Sequence, residues 1–264
     1  MKIYKQEIAD GIDALVASQA CITYASVAEP CEDTKAFAFD NIKSVAAIED
    51  KDLYYVQSIL VSSTWNKNDD VFDKGEVWKA KSTPEDKPTN LEHDESVVVG
   101  HITSNYPIDD NGQVIPVDTS ENDLPEKYHI LTGSVIYRAY SDPELKARAE
   151  NLIREIEEGS KYVSMECYFK NFDYGLMNQS TGEFKVLARK EDTAYLTKHL
   201  RAYGGTGQHE GYSIGRVLRD ITFSGKGFVD KPANNDSIIF SRTMLNKFLE
   251  EKNTDFEKKG VIDN

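Results

Sequence analysis

The stretch KPTNLEHDES, residues 87–96, contains a histidine flanked by acids, a combination that suits proton transfer. His93 follows a loop in which Pro84 and Pro88 oppose regular structure, and it precedes the apolar run Val97–Val99. Histidine is the usual general base because its side chain titrates near neutral pH. The loop predicts a position that is fixed yet accessible. A solvated surface histidine fits the same pattern, so the stretch alone leaves both interpretations open.

The other four histidines fit a catalytic base less well. His101 and His129 lie in or at the start of strand patterns, where a structural role is expected. His199 lies among charged residues of a helical pattern, which indicates exposure. His209 lies in the Gly-rich stretch GGTGQHEGY, where a loop would serve access or substrate binding.

A serine at residue 164 is the candidate nucleophile. Residues 141–160, SDPELKARAENLIREIEEGS, predict a helix with a Ser/Asp cap, Pro143 in its first turn and Gly159 at its end. The next residues, KYVSMECYFKNF, predict an alternating strand that holds Ser164 rigidly. Rigid placement suits a nucleophile, although serine is also ordinary on a half-exposed strand. Cys167 falls on the opposite, core-facing side and is interpreted as a buried, inert thiol.

Several further stretches predict strands, and few predict helices. Strand patterns occur at LYYVQSILVSSTW, ESVVVGHITSNYPI, HILTGSVIYRAY, DYGLMNQSTGEFKVLAR and VLRDITFSGKGFVD. Runs of strands with few helices predict an α+β fold, a mostly antiparallel β-barrel with flanking helices.

Composition excludes several classes of protein. The net charge is −14 and the basic residues form no cluster, so a direct nucleic-acid binder is not expected. No stretch reaches about 18 apolar residues, so no membrane span is expected. Three cysteines without close spacing indicate neither a disulfide framework nor a zinc ribbon. No metal or cofactor motif is present, since GGTGQHEG lacks the Lys-Ser/Thr ending of a P-loop.

Four segments resemble the prohead proteases of tailed phages, which mature the capsid, and they occur along the chain in the same order as in that family. NLEHDESVVVGHI is similar to the segment around their catalytic histidine, and EEGSKYVSMECYF is similar to the segment around their nucleophilic serine. GFVDKPANNDSII resembles the Pro-Ala-Asn closure after their last core strand, and ILVSSTWNKNDDVFDK resembles a segment upstream of the histidine. The resemblance covers residues 54–240.

This resemblance implies a herpesvirus-protease-like barrel and a serine endopeptidase with His93 as base and Ser164 as nucleophile. The family places an acid, or a histidine in the herpesvirus relatives, on the last core strand. Here that spacing falls near Gly225, which cannot serve. Asp220, upstream on the predicted strand, is the first candidate for the third member. Glu166, on the same strand face as Ser164, and His101 are the alternatives.

The resemblance also implies substrates and a setting. Scaffold and major capsid proteins would be cut inside the prohead, which assembles in the host cytoplasm. The expected organisation is an N-terminal region over residues 1–50, propeptide-like or packed on the core, a protease core over 51–240, and a charged helical tail over 241–264. Self-cleavage and oligomer formation are compatible with it. The rival interpretation is a non-enzymatic phage head or tail protein on a related barrel.

Overall fold

The computed structural model describes residues 1–18, 20–27, 29–30, 51–66 and 68–230, and for residues 21–30 it describes the backbone alone. Three predicted parts lie outside these residues: the tail at 241–264, the Pro-Ala-Asn turn, and positions 31–50 of the N-terminal region. Within the described ranges strands predominate, so the predicted α+β class is confirmed.

The helices and strands are as follows. The α-helices are α1 (Lys5–Ala9), α2 (Asp13–Ser18), α3 (Lys74–Ala80) and α4 (Pro143–Glu157). Short 3-10 helices lie at Glu121–Asp123, Ala194–His199 and Arg201–Tyr203. The strands are β1 (Cys21–Val27), β2 (Glu29–Pro30), β3 (Leu53–Ser62), β4 (Asp70–Val71), β5 (Pro88–Leu91), β6 (Asp94–Asp109), β7 (Tyr128–Tyr137), β8 (Tyr162–Tyr168), β9 (Asn171–Asn178), β10 (Phe184–Leu187), β11 (Gln208–His209), β12 (Tyr212–Arg219) and β13 (Thr222–Val229).

Two sheets organise the fold. The larger has the order β1-β8-β13-β5-β6-β7-β3-β2, and the smaller has the order β10-β9-β12-β11, with β4 paired to β12. The larger sheet curls into a half-barrel, so the predicted barrel is present in this reduced form. Its strands pair antiparallel except for β13 with β5. That parallel contact brings the segment before His93 beside β13, the last of these strands in chain order.

Helix α4 has the predicted cap and apolar stripe. The Asp142 carboxylate accepts hydrogen bonds from the backbone N–H groups of Glu144 and Leu145 at 2.8 and 3.0 Å. The stripe residues Ala149, Leu152, Ile153 and Ile156 are buried, whereas Leu145 is exposed. Leu152, Ile153 and Ile156 form one buried cluster with five residues of the half-barrel: Val56, Val99, Ile136, Val163 and Phe228. The helix thereby fixes the start of β8 three residues after its Gly159 stop.

Strand β8 separates the two faces of the half-barrel as predicted. Val163, Met165 and Cys167 are fully buried on the concave side, which faces the core. Ser164 and Glu166 alternate to the convex side. Cys167 is fully buried, in line with its predicted core position.

The N-terminal helix α1 is anchored by a buried ion pair. Glu7 and Arg189 are both fully buried in their side chains, and two guanidinium nitrogens of Arg189 donate to the Glu7 carboxylate at 2.8–3.0 Å. Thr197 donates a further hydrogen bond to Glu7 at 2.7 Å. Residues 1–18 therefore include a segment fixed on the body of the protein, at the smaller sheet.

We expect Glu7→Ala to destabilise the protein by about 3–5 kcal/mol, because it leaves the Arg189 guanidinium buried without its carboxylate. The double variant Glu7→Leu/Arg189→Met should recover most of this loss, since it removes both charges. Urea unfolding measures both values. A double variant no more stable than Glu7→Ala would contradict this account of the pair.

Candidate functional site

The convex face of β8 and β13 carries the candidate site. These strands pair antiparallel, with Ser164 opposite Gly227 and Glu166 opposite Gly225. A bulge between Phe223 and Gly225 sets this register. On its other side, Ser164 lies opposite the backbone of Ala25 in β1. Two potentially reactive side chains of β8 thus stand over two residues of β13 that have no side chain.

His93 reaches this face from the tight turn between β5 and β6. Glu92 and His93 both have left-handed backbone conformations, with φ values of 50° and 60°. Such conformations are costly for residues other than glycine and persist where surrounding contacts impose them. The Glu92 N–H donates to the Phe228 carbonyl at 2.9 Å, and the Glu92 carboxylate accepts from Lys161 Nζ at 3.3 Å and the Asp230 N–H at 2.9 Å. These contacts hold the turn against β13.

His93 is hydrogen-bonded to Glu166. The distance between His93 Nδ1 and Glu166 Oε1 is 2.8 Å, and Asn90 Nδ2 donates to the same oxygen at 2.9 Å. The His93 side chain is 26% exposed and that of Glu166 is 13% exposed. The carboxylate is therefore largely shielded, while the imidazole keeps contact with solvent.

The two glycines of β13 make this arrangement possible. A Cβ on Gly227 would lie 3.0 Å from His93 Nδ1 and 2.9 Å from Asn90 Oδ1. A Cβ on Gly225 would lie 3.1 Å from Glu166 Oε2 and 2.8 Å from the Pro88 carbonyl oxygen. Glycine within a strand often marks such a close approach. His93 and Glu166 therefore occupy the space that side chains at these positions would fill.

The Glu166 carboxylate fixes the tautomer of His93. Burial by itself raises the pKa of Glu166, but the hydrogen bonds from His93 and Asn90 outweigh it and hold the pKa below the ordinary glutamate value. Glu166 is thus ionised at neutral pH and accepts hydrogen bonds only. His93 Nδ1 must then carry a proton, which leaves Nε2 of the neutral ring free to accept one. This is the tautomer that a general base requires.

Ser164 lies on the same face but makes no hydrogen bond to His93 in the described structure. Its cross-strand partner is Gly227, over which the His93 ring lies. Paired residues of an antiparallel sheet have Cβ positions about 4.5–5.5 Å apart. Ser164 is therefore the cross-strand neighbour of the residue that the His93 ring covers. Ser164 is also only 3% exposed, and β1 pairs with β8 at this residue.

The three candidates for the third residue occupy different places. Glu166 is the acid in contact with His93. His101 is instead hydrogen-bonded through Nδ1 to the Tyr137 hydroxyl at 2.9 Å. Asp220 lies in the turn between β12 and β13, where it is exposed, has φ of 52° and donates its backbone N–H to Glu76.

The predicted position of Asp220 on the last core strand is wrong for a specific reason. The stretch VLRDITFSGKGFVD was predicted to form one strand, which would have carried Asp220 toward the site. It forms the end of β12 and the whole of β13, joined at Asp220, and β12 belongs to the other sheet. The left-handed turn at Asp220 was not visible in the apolar pattern.

Sequence reasoning missed Asn90 and the role of the glycines. Asn90 is 2% exposed, and its Oδ1 has no hydrogen-bond partner in the described structure, directly above Gly227. The glycines at alternate positions in SGKGFV are a signal for close approach along one strand face. The position of Asn90 three residues before His93 carried no comparable signal.

The remaining histidines lie elsewhere. His129 is buried and bonded to Ser62 and Asp110 at 2.7 and 2.9 Å, which fits the predicted structural role. The rings of His199 and His209 stack with centroids 4.3 Å apart. Among the described residues, no group of three or more histidine, cysteine, aspartate and glutamate side chains is arranged to hold a metal ion.

Comparisons with known proteins do not assign the chain to a family. The chain matches no protein-family model, no curated protein and no solved structure. No helix within the described ranges has the length and apolar character needed to cross a bilayer.

We expect His93→Ala to raise the pKa of Glu166, because burial of the carboxylate remains while its strongest hydrogen bond is lost. Carboxyl-carbon NMR followed against pH measures the shift. His101→Ala is the matched control and should leave the Glu166 titration unchanged. Equal Glu166 titrations in the His93 variant and the unmodified protein would contradict the described contact.

The lowered pKa of Glu166 in the unmodified protein also makes its stability depend on pH. Because the Glu166 pKa is lowered on folding, its contribution is complete above the ordinary glutamate pKa and is lost as pH falls through the lowered value. Some of the stability that the protein loses at low pH comes from protonation of Glu166. We expect Glu166→Gln to abolish this share of the loss. Urea unfolding of both proteins between about pH 3 and 6 tests it, and identical pH slopes would count against it.

Proposed function

We propose that this protein is a serine endopeptidase in which Ser164 is the nucleophile, His93 the general base and Glu166 the acid that orients the base. The observation that carries the proposal is the 2.8 Å contact between His93 Nδ1 and Glu166 Oε1, on the strand face that also bears Ser164. A carboxylate behind a neutral imidazole, with a hydroxyl beside it, is the arrangement that serine hydrolases use on unrelated folds.

The position of the acid supports a link to the prohead proteases. The family pattern expects the third residue near Gly225, on the last core strand. Gly225 is the cross-strand partner of Glu166, whose carboxylate lies over it. Glu166 of β8 therefore brings a carboxylate to the position where the family pattern places one from the last core strand. A glycine at position 225 is therefore compatible with a complete set of nucleophile, base and acid.

The chemistry follows from these positions. His93 Nε2 takes the proton of the Ser164 hydroxyl as the oxygen attacks a peptide carbonyl, and Glu166 stabilises the imidazolium that forms. The imidazolium then donates the proton to the leaving amine, which leaves an acyl group on Ser164. Water attacks this ester after losing a proton to Nε2, and Ser164 regains its hydroxyl as the carboxylic acid leaves.

Asn90 acts as a positioning residue in this scheme. Its amide nitrogen holds Glu166 Oε1 at 2.9 Å, the same oxygen that faces His93. We expect Asn90→Ala to lower the catalytic rate constant with little change in the Michaelis constant, since it acts through Glu166 and not on substrate. It should also raise the Glu166 pKa, which a purely structural loss of stability would not do.

The proposed substrates are the scaffold and major capsid proteins of a phage prohead, and the proposed fold relation is to the herpesvirus proteases. Both rest on the resemblance of the four sequence segments, combined with the α+β half-barrel. The acidic net charge of −14 is compatible with work inside a compartment that receives DNA, because it disfavours binding to a polyanion.

A non-enzymatic head or tail protein is the second candidate. Two observations favour it: the absence of a hydrogen bond between Ser164 and His93 among the described residues, and the 3% exposure of Ser164. An active enzyme must open Ser164 to substrate and bring His93 Nε2 within hydrogen-bond distance, as apo sites often do on binding.

A fluorophosphonate probe distinguishes the two functions. We expect covalent labelling at Ser164, located by peptide mass spectrometry, and none in Ser164→Ala. His93→Ala should slow labelling by about 10²–10⁴-fold, because the hydroxyl then loses its base. Circular dichroism of each variant shows whether it is folded. Unlabelled Ser164 in the folded, unmodified protein would support the structural role instead.

Glu166→Gln and Asp220→Asn form a matched pair for the acid. Glu166→Gln should slow labelling by about 10²–10⁴-fold because His93 loses its fixed tautomer. Asp220→Asn should have no effect, and asparagine tolerates the left-handed backbone at that turn. The reverse outcome would overturn the assignment of the acid.

A further inference from the structure

A fully buried lysine lies on β13 directly between the two glycines of the site. Lys226 has no exposed surface, and its Nζ lies 2.9 Å from both Ser58 Oγ and Thr132 Oγ1. Ser58 belongs to β3 and Thr132 to β7, which are not neighbours of β13 in the sheet. The contacts therefore cross the concave interior, opposite to the face that carries His93.

Among the residues that the structure describes, this interior offers the lysine no negative charge. Among the described residues, no carboxylate lies within ion-pair distance of Lys226 Nζ. The strands packed around it contribute these side chains to the interior: Val56, Ser58 and Leu60 of β3, Thr89 of β5, Ile130, Thr132 and Ser134 of β7, and Val163, Met165 and Cys167 of β8. On these strand faces the titratable groups are the Cys167 thiol and the hydroxyls of Tyr54 and Tyr128, and none of them is a carboxylate.

A buried ammonium without a counter-charge is costly, whereas a neutral amine is tolerated. An ammonium has three donors, and two hydroxyl oxygens are in reach. Burial accordingly lowers the pKa of Lys226 to about 7. Thr89 Oγ1 and Ser134 Oγ, which are also buried, have no hydrogen-bond partner in the described structure, so the interior is not adapted to an ion.

We propose that Lys226 is a proton-operated switch for the convex face of the half-barrel. The neutral amine fits the interior and lets β13 hold Gly225 and Gly227 flat beneath Glu166 and His93. Protonation places an unpaired charge inside the half-barrel, which loosens β13 and withdraws the support from the His93–Glu166 pair. The regulated site is that of the proposed function, but the switch is tested without any hydrolysis, so either idea can fail separately.

Linkage gives the direction of the effect. Between pH 7 and the ordinary lysine pKa, the unfolded chain binds a proton that the folded chain does not. Raising the pH through this range therefore favours the folded state, and the unfolding constant falls by up to about tenfold for each pH unit. Below pH 7 both states carry the proton and this dependence ends.

Urea unfolding between pH 6 and 9.5 tests the linkage. Relative to the unmodified protein, Lys226→Met should lose the tenfold-per-unit dependence above pH 7. Lys146→Met, which removes an exposed lysine of α4, should retain it. Equal pH dependence in all three proteins would overturn the proposal.

NMR keeps the test decisive if Lys226→Met does not fold. The Cε signal of Lys226 in the unmodified protein should titrate near pH 7, and a midpoint above 10 would refute the switch. Hydrogen exchange, corrected for its intrinsic pH dependence, should show the amides of residues 225–228 losing about tenfold protection from pH 8 to pH 6. Unchanged protection there would show that protonation does not loosen β13.

Discussion

The close approach of His93 and Glu166 to the backbone of β13 is the constraint on which the candidate site depends. Both side chains lie where a Cβ on Gly227 or Gly225 would otherwise stand. Several other features serve this contact: the strained turn at Glu92 and His93, its anchors to Phe228 and Asp230, and the parallel pairing of β5 with β13. A bulkier residue at either glycine would separate the base from its acid.

The two faces of β13 meet opposite physical demands. The convex face needs empty space, which Gly225 and Gly227 supply, and the concave face holds Lys226 among hydroxyl groups. Because strand residues alternate, three consecutive residues serve both faces. A strand with two glycines gains little from its own side-chain packing, and the buried lysine further lowers its stability when charged. We therefore expect β13, the strand beneath the candidate site, to lose order when Lys226 is protonated.

Much of the fold was accessible from the sequence because its signals are local. The cap at Asp142, the apolar stripe and Gly159 define α4, and strict alternation defines β8, so the convex placement of Ser164 and Glu166 followed directly. The pairing of β8 with β13 was not accessible, because it depends on contacts between residues far apart in the chain. For this reason Glu166 remained one of three candidates for the third residue, and Asp220 was preferred on a predicted strand that breaks at that residue.

The geometry between His93 and Ser164 is the most direct test of the central claim, because the His93–Glu166 contact alone does not make a nucleophile. A crystal structure of the protein after reaction with a fluorophosphonate would measure it. The account predicts phosphonate on Ser164 Oγ, with His93 Nε2 within about 3.2 Å of an oxygen of the adduct and Nδ1 still on Glu166. An unmodified Ser164, or a His93 ring turned away from an intact adduct, would contradict it.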